Sequence, residues 1–262
     1  MIAHMRLSRA VVCPPASSFA NGLTSSGALG RPHLPEALYQ HQQYCRALAE
    51  CGLAITALHP DEAYPDGTFV EDTAVVAEQV AVLARPGAPS RAGEVSAVGA
   101  ALRDLTSALE WIEPPGTLDG GDVCQVESRF LIGVSARTNE AGAAQLTRIL
   151  SRHGYSAFTV DIRNHGKLLH LKSGIAYLGD NRFVVAPGFP QIDALEGYTR
   201  LEVDAEEAYA ANCVRVNDEV FLAAGYPRLA ARLEDLGYTV RLLNVSEFQK
   251  MDGGLSCLSI RF

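Results

Sequence analysis

The sequence predicts an α/β fold, a five-bladed α/β propeller of ββαβ-type units closed around a central active site. Three observations carry that reading. A strand, turn, strand, helix grammar recurs along the 262 residues. Polar or thiol residues stand at the head of each copy at near-regular intervals: with Asp72, Asp122, His170, Cys213 and Cys257 as marks, the spacings are 50, 48, 43 and 44 residues. Each copy alone has one hairpin and at most one helix, too little to bury both faces, so radial packing with strands inside and helices outside is the stable solution.

The elements follow in order. The strand LSRAVVCPP precedes the helix LPEALYQHQQYCRALAECG. In VEDTAVVAEQVAVLARPG two strands flank a short polar turn before a Gly/Pro stop, and SRAGEVSAVGAALRDL then has helical spacing. GGDVCQVESRFLIGVS repeats the hairpin with its turn at Glu127, Ser128 and Arg129, and NEAGAAQLTRILSRHGY is a helix stopped at Gly154. HLKSGIAYLGDNRFVVAPG turns at Gly179, Asp180 and Asn181 and is followed by a shorter segment, PQIDALEGY. NCVRVNDEVFLAAGYPRLAARLEDLGY gives hairpin, Gly225, helix and Gly237, then TVRLLNV as a further strand. SCLSIRF supplies a single last strand, and the N-terminal strand is its partner, which closes the ring. An open α/β sheet would also show strand–helix alternation, but a hairpin before each helix argues against strict βαβ units. With no linker or charge run, residues 1–262 read as a single catalytic domain.

Composition narrows the function. Hydrophobic residues make up 48% and charged residues 20%, values of an ordinary globular chain. A net charge of -8 argues against phosphate-backbone binding, so no nucleic-acid partner is expected, and it suits a small cationic substrate. The six cysteines show neither CxxC pairs nor zinc-site spacing, which fits a reducing cytoplasm and no structural metal. No export signal or membrane span is read, and Met1 and Met5 are alternative starts.

Four places carry chemistry. Cys257 follows Gly253 and Gly254, which allow unusual backbone dihedrals and close ligand approach, and a thiolate suits attack on an electron-poor carbon. The ordinary reading of a lone cysteine is a core thiol. His170 lies between Leu169 and Leu171, and strand alternation would turn it to the other face with Lys172, making it the best general acid/base. Glu71 and Asp72 sit between apolar runs and need partners there. With Asp66, Asp119 and Asp122 they form a carboxylate set suited to a planar guanidinium; a divalent metal is the rival occupant. Arg91 and Arg137 follow the second strands of their units, placed to fork onto a substrate carboxylate.

These residues resemble the dimethylarginine dimethylaminohydrolases of the guanidine-modifying (amidinotransferase) superfamily, over essentially the whole chain. The matching segments are NGLTSSGALGRP, YPDGTFVEDTAVV, RPGAPSRAGE, PGTLDGGDV, GVSARTNEAG, LLHLKSGIAYL, YAANCVRVN, AAGYPR and DGGLSCLSIRF. The resemblance implies a pentein fold, no cofactor, and hydrolysis of N-methylated arginines to citrulline and an alkylamine through a Cys-bound S-alkylthiouronium. It implies Cys257 as nucleophile, His170 as general acid/base and Asp119 as its supporting carboxylate, where some relatives carry Glu. Glu71 and Asp72 would hold the guanidinium, Arg91 and Arg137 the α-carboxylate. Asp66 and the backbone of Leu23, in a mobile lid, would meet the amino-acid end, beside Met251. A homodimer is expected. The competing readings are an arginine deiminase-like hydrolase and a catalytically silent guanidino-amino-acid binding protein, which would gain no covalent adduct.

Overall fold

The computed structural model describes residues 6–165 and 168–262, so the alternative starts at Met1 and Met5 lie outside the described residues. The first unit to form in sequence is β1 (Arg9–Val12), α1 (Leu34–Glu50) and β2 (Ala54–Ala57). The next is β3 (Ala74–Ala77), β4 (Val80–Leu83), α2 (Val95–Arg103) and β5 (Leu109–Trp111). Then come β6 (Val123–Val126), β7 (Arg129–Val134), α3 (Glu140–Arg152) and β8 (Ser156–Asp161). The fourth has β9 (Ile175–Gly179), β10 (Arg182–Val185) and β11 (Thr199–Glu202), with only a 3-10 turn, Asp193–Leu195, where the others have a helix. The fifth is β12 (Val214–Val216), β13 (Glu219–Ala223), α4 (Pro227–Asp235) and β14 (Thr239–Leu243). A short α5 (Ser246–Gln249) and β15 (Ile260–Arg261) follow.

The described residues form five three-stranded sheets, each an antiparallel pair with a third strand parallel to its middle one. The sheet β15-β1-β2 joins the two ends of the chain: β1 runs antiparallel to β15 and parallel to β2. Backbone bonds from Ser8 and Arg9 N–H to the Phe262 carbonyl, at 2.9 and 2.8 Å, fasten that closure. First strands of neighbouring sheets touch around the ring, β15 with β3, β6 with β9 and β9 with β12.

Local chemistry explains the elements. The Asn139 side chain accepts the Gly142 N–H at 2.8 Å and starts α3, while Gly154 and Gly237 take φ of +82° and +88° where α3 and α4 end. Asp180 and Asn181 have φ of +50° and +55°, the conformation a two-residue hairpin turn requires. Helices pack between adjacent sheets. Leu146 and Leu150 of α3 are fully buried against Val80 and Val82 of one sheet and Phe130 and Ile132 of the next. Each such leucine contributes roughly 1.5–3 kcal/mol by leaving water. Among the described residues no helix is long and apolar enough to cross a membrane.

Candidate active site

The strands do not begin with the polar marks. A 3-10 turn precedes the first strand of each hairpin, and the marks sit in or beside these turns. Glu71 and Asp72 lie in Val70–Thr73, Asp119 and Asp122 at the two ends of the turn at Gly120–Asp122, His170 just ahead of Leu171–Ser173, and Cys257 in Ser256–Leu258. The alternation argument for His170 is therefore corrected. A turn has no two-residue period, and His170 and Lys172 face different cavities. Cys213, the start mark of its unit, is a core thiol packed with Val220 and Leu222, as its apolar sequence context suggests, and the polar group beside it is Asn212.

Five hydrogen bonds link these turns into a circle. Gly121 N–H donates to Asp72 Oδ1 at 3.0 Å, and Leu171 N–H to Asp122 Oδ1 at 2.9 Å. Asn212 Nδ2 donates to the Lys172 carbonyl at 2.9 Å, and its Oδ1 accepts the Ser256 N–H at 3.0 Å. Ser256 Oγ then donates to Glu71 Oε2 at 2.7 Å, back in the first turn. Buried polar groups bonded in this way fix one another's orientation and leave few unsatisfied partners.

His170 and Cys257 line one small cavity of about 30 Å³. Asp72, Asp66, Arg91 and Arg137 line it as well, and Leu23 and Met251 complete one wall. Asp119, fully buried, stands behind the histidine with Oδ2 3.0 Å from His170 Nε2, and its Oδ1 accepts the Gly87 N–H at 2.8 Å. Glu71 does not line this cavity. Its carboxylate meets Lys172 Nζ at 2.7 Å and Arg261 at 3.2 Å, and with Ser256 these groups line a larger cavity of about 360 Å³. Glu71/Asp72 and Ser256/Cys257 are thus pairs of consecutive residues facing opposite cavities across a thin wall.

The two arginines differ. Arg91 is buried with all three nitrogens engaged: Asp72 Oδ2 at 2.5 Å, Glu94 at 2.7–3.1 Å and the Phe69 carbonyl at 3.0 Å. Among the described residues the Arg137 guanidinium makes no hydrogen bond within the protein. At the cavity wall, Leu23 N–H donates to both oxygens of Asp66 at 3.0 and 3.2 Å, and nearby Ser25 N–H donates to Asp252 at 2.5 Å.

Burial pushes the Cys257 thiol up to about 12, with the Glu71 and Asp72 charges adding to it. Burial works against a charged His170, but Asp72 and the hydrogen bond to Asp119 outweigh it and push the imidazole up to about 9. Asp72 is buried too, yet His170 and Arg91 hold it below the ordinary carboxylate range. At neutral pH the site therefore carries a thiol at Cys257, an imidazolium at His170 and a carboxylate at Asp72. Asp72, Asp119 and His170 place one ligand atom each within 4.8 Å of one another, a spacing a cation would also fit. Arg91 already on Asp72 opposes a dication there.

The two glycines before Cys257 act by closeness and not by dihedral, which corrects the sequence expectation. A Cβ on Gly253 would lie 2.2 Å from the Phe69 ring and one on Gly254 2.5 Å from Asn212 Oδ1. The positive φ of this stretch, +58°, belongs to Asp252. Sequence reasoning missed Asn212, although it stands two residues before its strand, as Asp72 does.

A family model described as arginine deiminase matches residues 110–222. The N(G),N(G)-dimethylarginine dimethylaminohydrolase of Pseudomonas aeruginosa is 45% identical over 249 residues, 95% of this chain and 96% of that protein. The crystal structure of that organism's enzyme, a cysteine-to-serine mutant complexed with citrulline, superposes with a TM-score of 0.95 at 42% identity, covering 98% of this chain and 100% of the other. A dimethylarginine dimethylaminohydrolase adduct with S-methyl-L-thiocitrulline, formed by a histidine-to-glycine variant, gives 0.94 at 42% identity, with the same coverage.

Proposed function

The chain belongs to the dimethylarginine dimethylaminohydrolase family, and from that premise we propose that it hydrolyses N-methylated arginines to citrulline and an alkylamine. The observation that supports this most is the gathering of Cys257, His170, Asp72 and Arg137 on one cavity. The relatives' complexes with citrulline and with a thiocitrulline adduct agree with such a ligand.

In this reading the substrate guanidinium enters the cavity beside Asp72, whose charge orients its planar head, while Asp119 stays behind His170. Arg137 pairs with the α-carboxylate and Arg91 adds positive charge from behind. Asp66 and the Leu23 backbone receive the amino-acid end, with Met251 as apolar wall. The bound cation lowers the free energy of a thiolate at Cys257; the thiol gives up its proton to solvent as substrate binds, and the thiolate attacks the central carbon. The imidazolium of His170 gives its proton to the departing amine, the C–N bond breaks, and an S-alkylthiouronium remains. The neutral imidazole next takes a proton from water as the oxygen adds to the same carbon. The C–S bond then breaks, the remaining hydroxyl proton passes to the departing sulfur, and citrulline and the resting thiol result. Asp119 holds the imidazole in place through both protonation states. Glu71, tied to Lys172 and Arg261, acts by walling the site and by opposing thiolate formation until substrate arrives.

The ring closed by β15 and β1 supports a single catalytic domain over the whole chain. Six free cysteines support a cytoplasmic location, and a homodimer, measurable by sedimentation velocity, belongs to the same reading. Intact-mass spectrometry of a His170→Gly variant quenched with S-methyl-L-thiocitrulline is the test. An adduct mapped to Cys257 is expected, and its absence at saturating ligand refutes the role of the thiol. A silent binding protein would gain no such mass.

A further inference from the structure

We infer that Asn212 is a positioning residue for the reaction, setting the Cys257 turn against the His170 turn through one buried amide. This rests on the functional reading above and deepens it. Asn212 is 8% exposed and touches none of the proposed substrate groups, so any effect on catalysis passes through its neighbours.

The amide uses both ends. Nδ2 donates to the carbonyl of Lys172, two residues beyond His170, at 2.9 Å and to Ser256 Oγ at 3.0 Å. Oδ1 accepts the N–H of Ser256, the residue before Cys257, at 3.0 Å. Among the described residues no backbone hydrogen bond joins the His170 turn to the Cys257 turn, and the unit between them contributes the Asn212 side chain in its place. The Cys257 turn is also bound to that same unit through Tyr209, whose hydroxyl donates to the Gly253 carbonyl at 2.8 Å. Gly254 lets the approach happen, since a Cβ there would collide with the amide. Ser256 passes the constraint on, its hydroxyl reaching Glu71 and lying 3.9 Å from Cys257 Sγ. A displacement of about 1 Å between nucleophile and acid costs on the order of a hundredfold in rate.

Two variants separate positioning from packing. Asn212→Ala removes every bond; Asn212→Asp keeps the volume and the acceptor for Ser256 N–H but loses both donated bonds and sets a carboxylate oxygen against the Lys172 carbonyl. For both, kcat toward asymmetric dimethylarginine is expected to fall about a hundredfold while KM stays near that of the unsubstituted protein. A purely space-filling residue would leave kcat of Asn212→Asp unchanged, and kcat within about threefold in both variants overturns the inference. Alkylation of Cys257 by iodoacetamide, followed by peptide mass spectrometry at pH 8, reads the same geometry without turnover. In Asn212→Ala, which adds no charge, release of the turn should speed it about tenfold, as a thiol pKa lower by about one unit would. If the unsubstituted protein releases no citrulline, the functional reading fails, and the alkylation comparison alone decides the role of Asn212: equal rates overturn it.

Discussion

His170 stands between two carboxylates, with Asp119 Oδ2 3.0 Å from Nε2 and Asp72 Oδ1 3.9 Å from Nδ1. The imidazole is thus held as a cation on both edges, in a place where burial alone would favour the neutral ring. In the mechanism proposed above, the acid for the leaving amine is thereby loaded before substrate binds.

That arrangement has a sign in stability. The folded pKa of His170, about 9, lies above the unfolded 6.5, so its contribution is fully present below pH 6.5 and is lost as pH rises toward 9. Between pH 6.5 and 8.5 the melting temperature should fall with rising pH. A His170→Gln variant should lose most of that slope in scanning calorimetry, and an unchanged slope refutes the assignment.

The raised thiol predicts slow chemistry in the empty site. Iodoacetamide modification of Cys257 should rise about tenfold per pH unit through pH 9, because only thiolate reacts. A haloacetamidinium of similar size should react much faster at pH 7, since its cation favours thiolate between the carboxylates. Equal rates for the two reagents, or a plateau below pH 9, would contradict the charge account.

Gly121 packs closely against two side chains of the site. A Cβ there would lie 2.6 Å from Asp72 Oδ1 and 2.8 Å from His170 Nδ1. Gly121→Ala should reduce kcat about a hundredfold by displacing these groups, with the far-ultraviolet circular dichroism spectrum unchanged. Full activity would mean that the two side chains can move without consequence.

Arg91 is expected to matter for folding as much as for binding. Its ion pairs with Asp72 and Glu94 are buried on both sides, and Arg91→Met leaves two carboxylates without their cation. A loss of about 3–5 kcal/mol in urea unfolding is expected. A loss below about 1 kcal/mol would show that the carboxylates simply take up protons.

The ring was legible because hairpins and helices leave periods of two and 3.6 in the sequence, and because the marks recur. Cys257, His170, Asp72, Asp66 and Arg137 were singled out through spacing, apolar neighbours and loop position, and the whole-chain resemblance supplied Leu23 and Met251. The turns that carry them were not legible, since a three-residue 3-10 turn has no period to read. For the same reason the facing of Lys172 was misjudged. Glu71 and Asp72 are adjacent carboxylates with one composition context, and only the fold shows one committed to Lys172 and Arg261 and the other to the cavity. Arg91 looked equivalent to Arg137 by position, whereas its partner Glu94 makes it an internal cation. Asn212 escaped notice because an amide carries no charge and its neighbour Cys213 drew the reading.

The central claim is tested most directly by citrulline release from asymmetric dimethylarginine and from arginine in parallel, with Cys257→Ser as the control. Release from the methylated substrate, absent in the control and weak from arginine, is the expected result. Release from arginine alone would make the chain a deiminase, and release from neither, or release that survives Cys257→Ser, would contradict the account of this site.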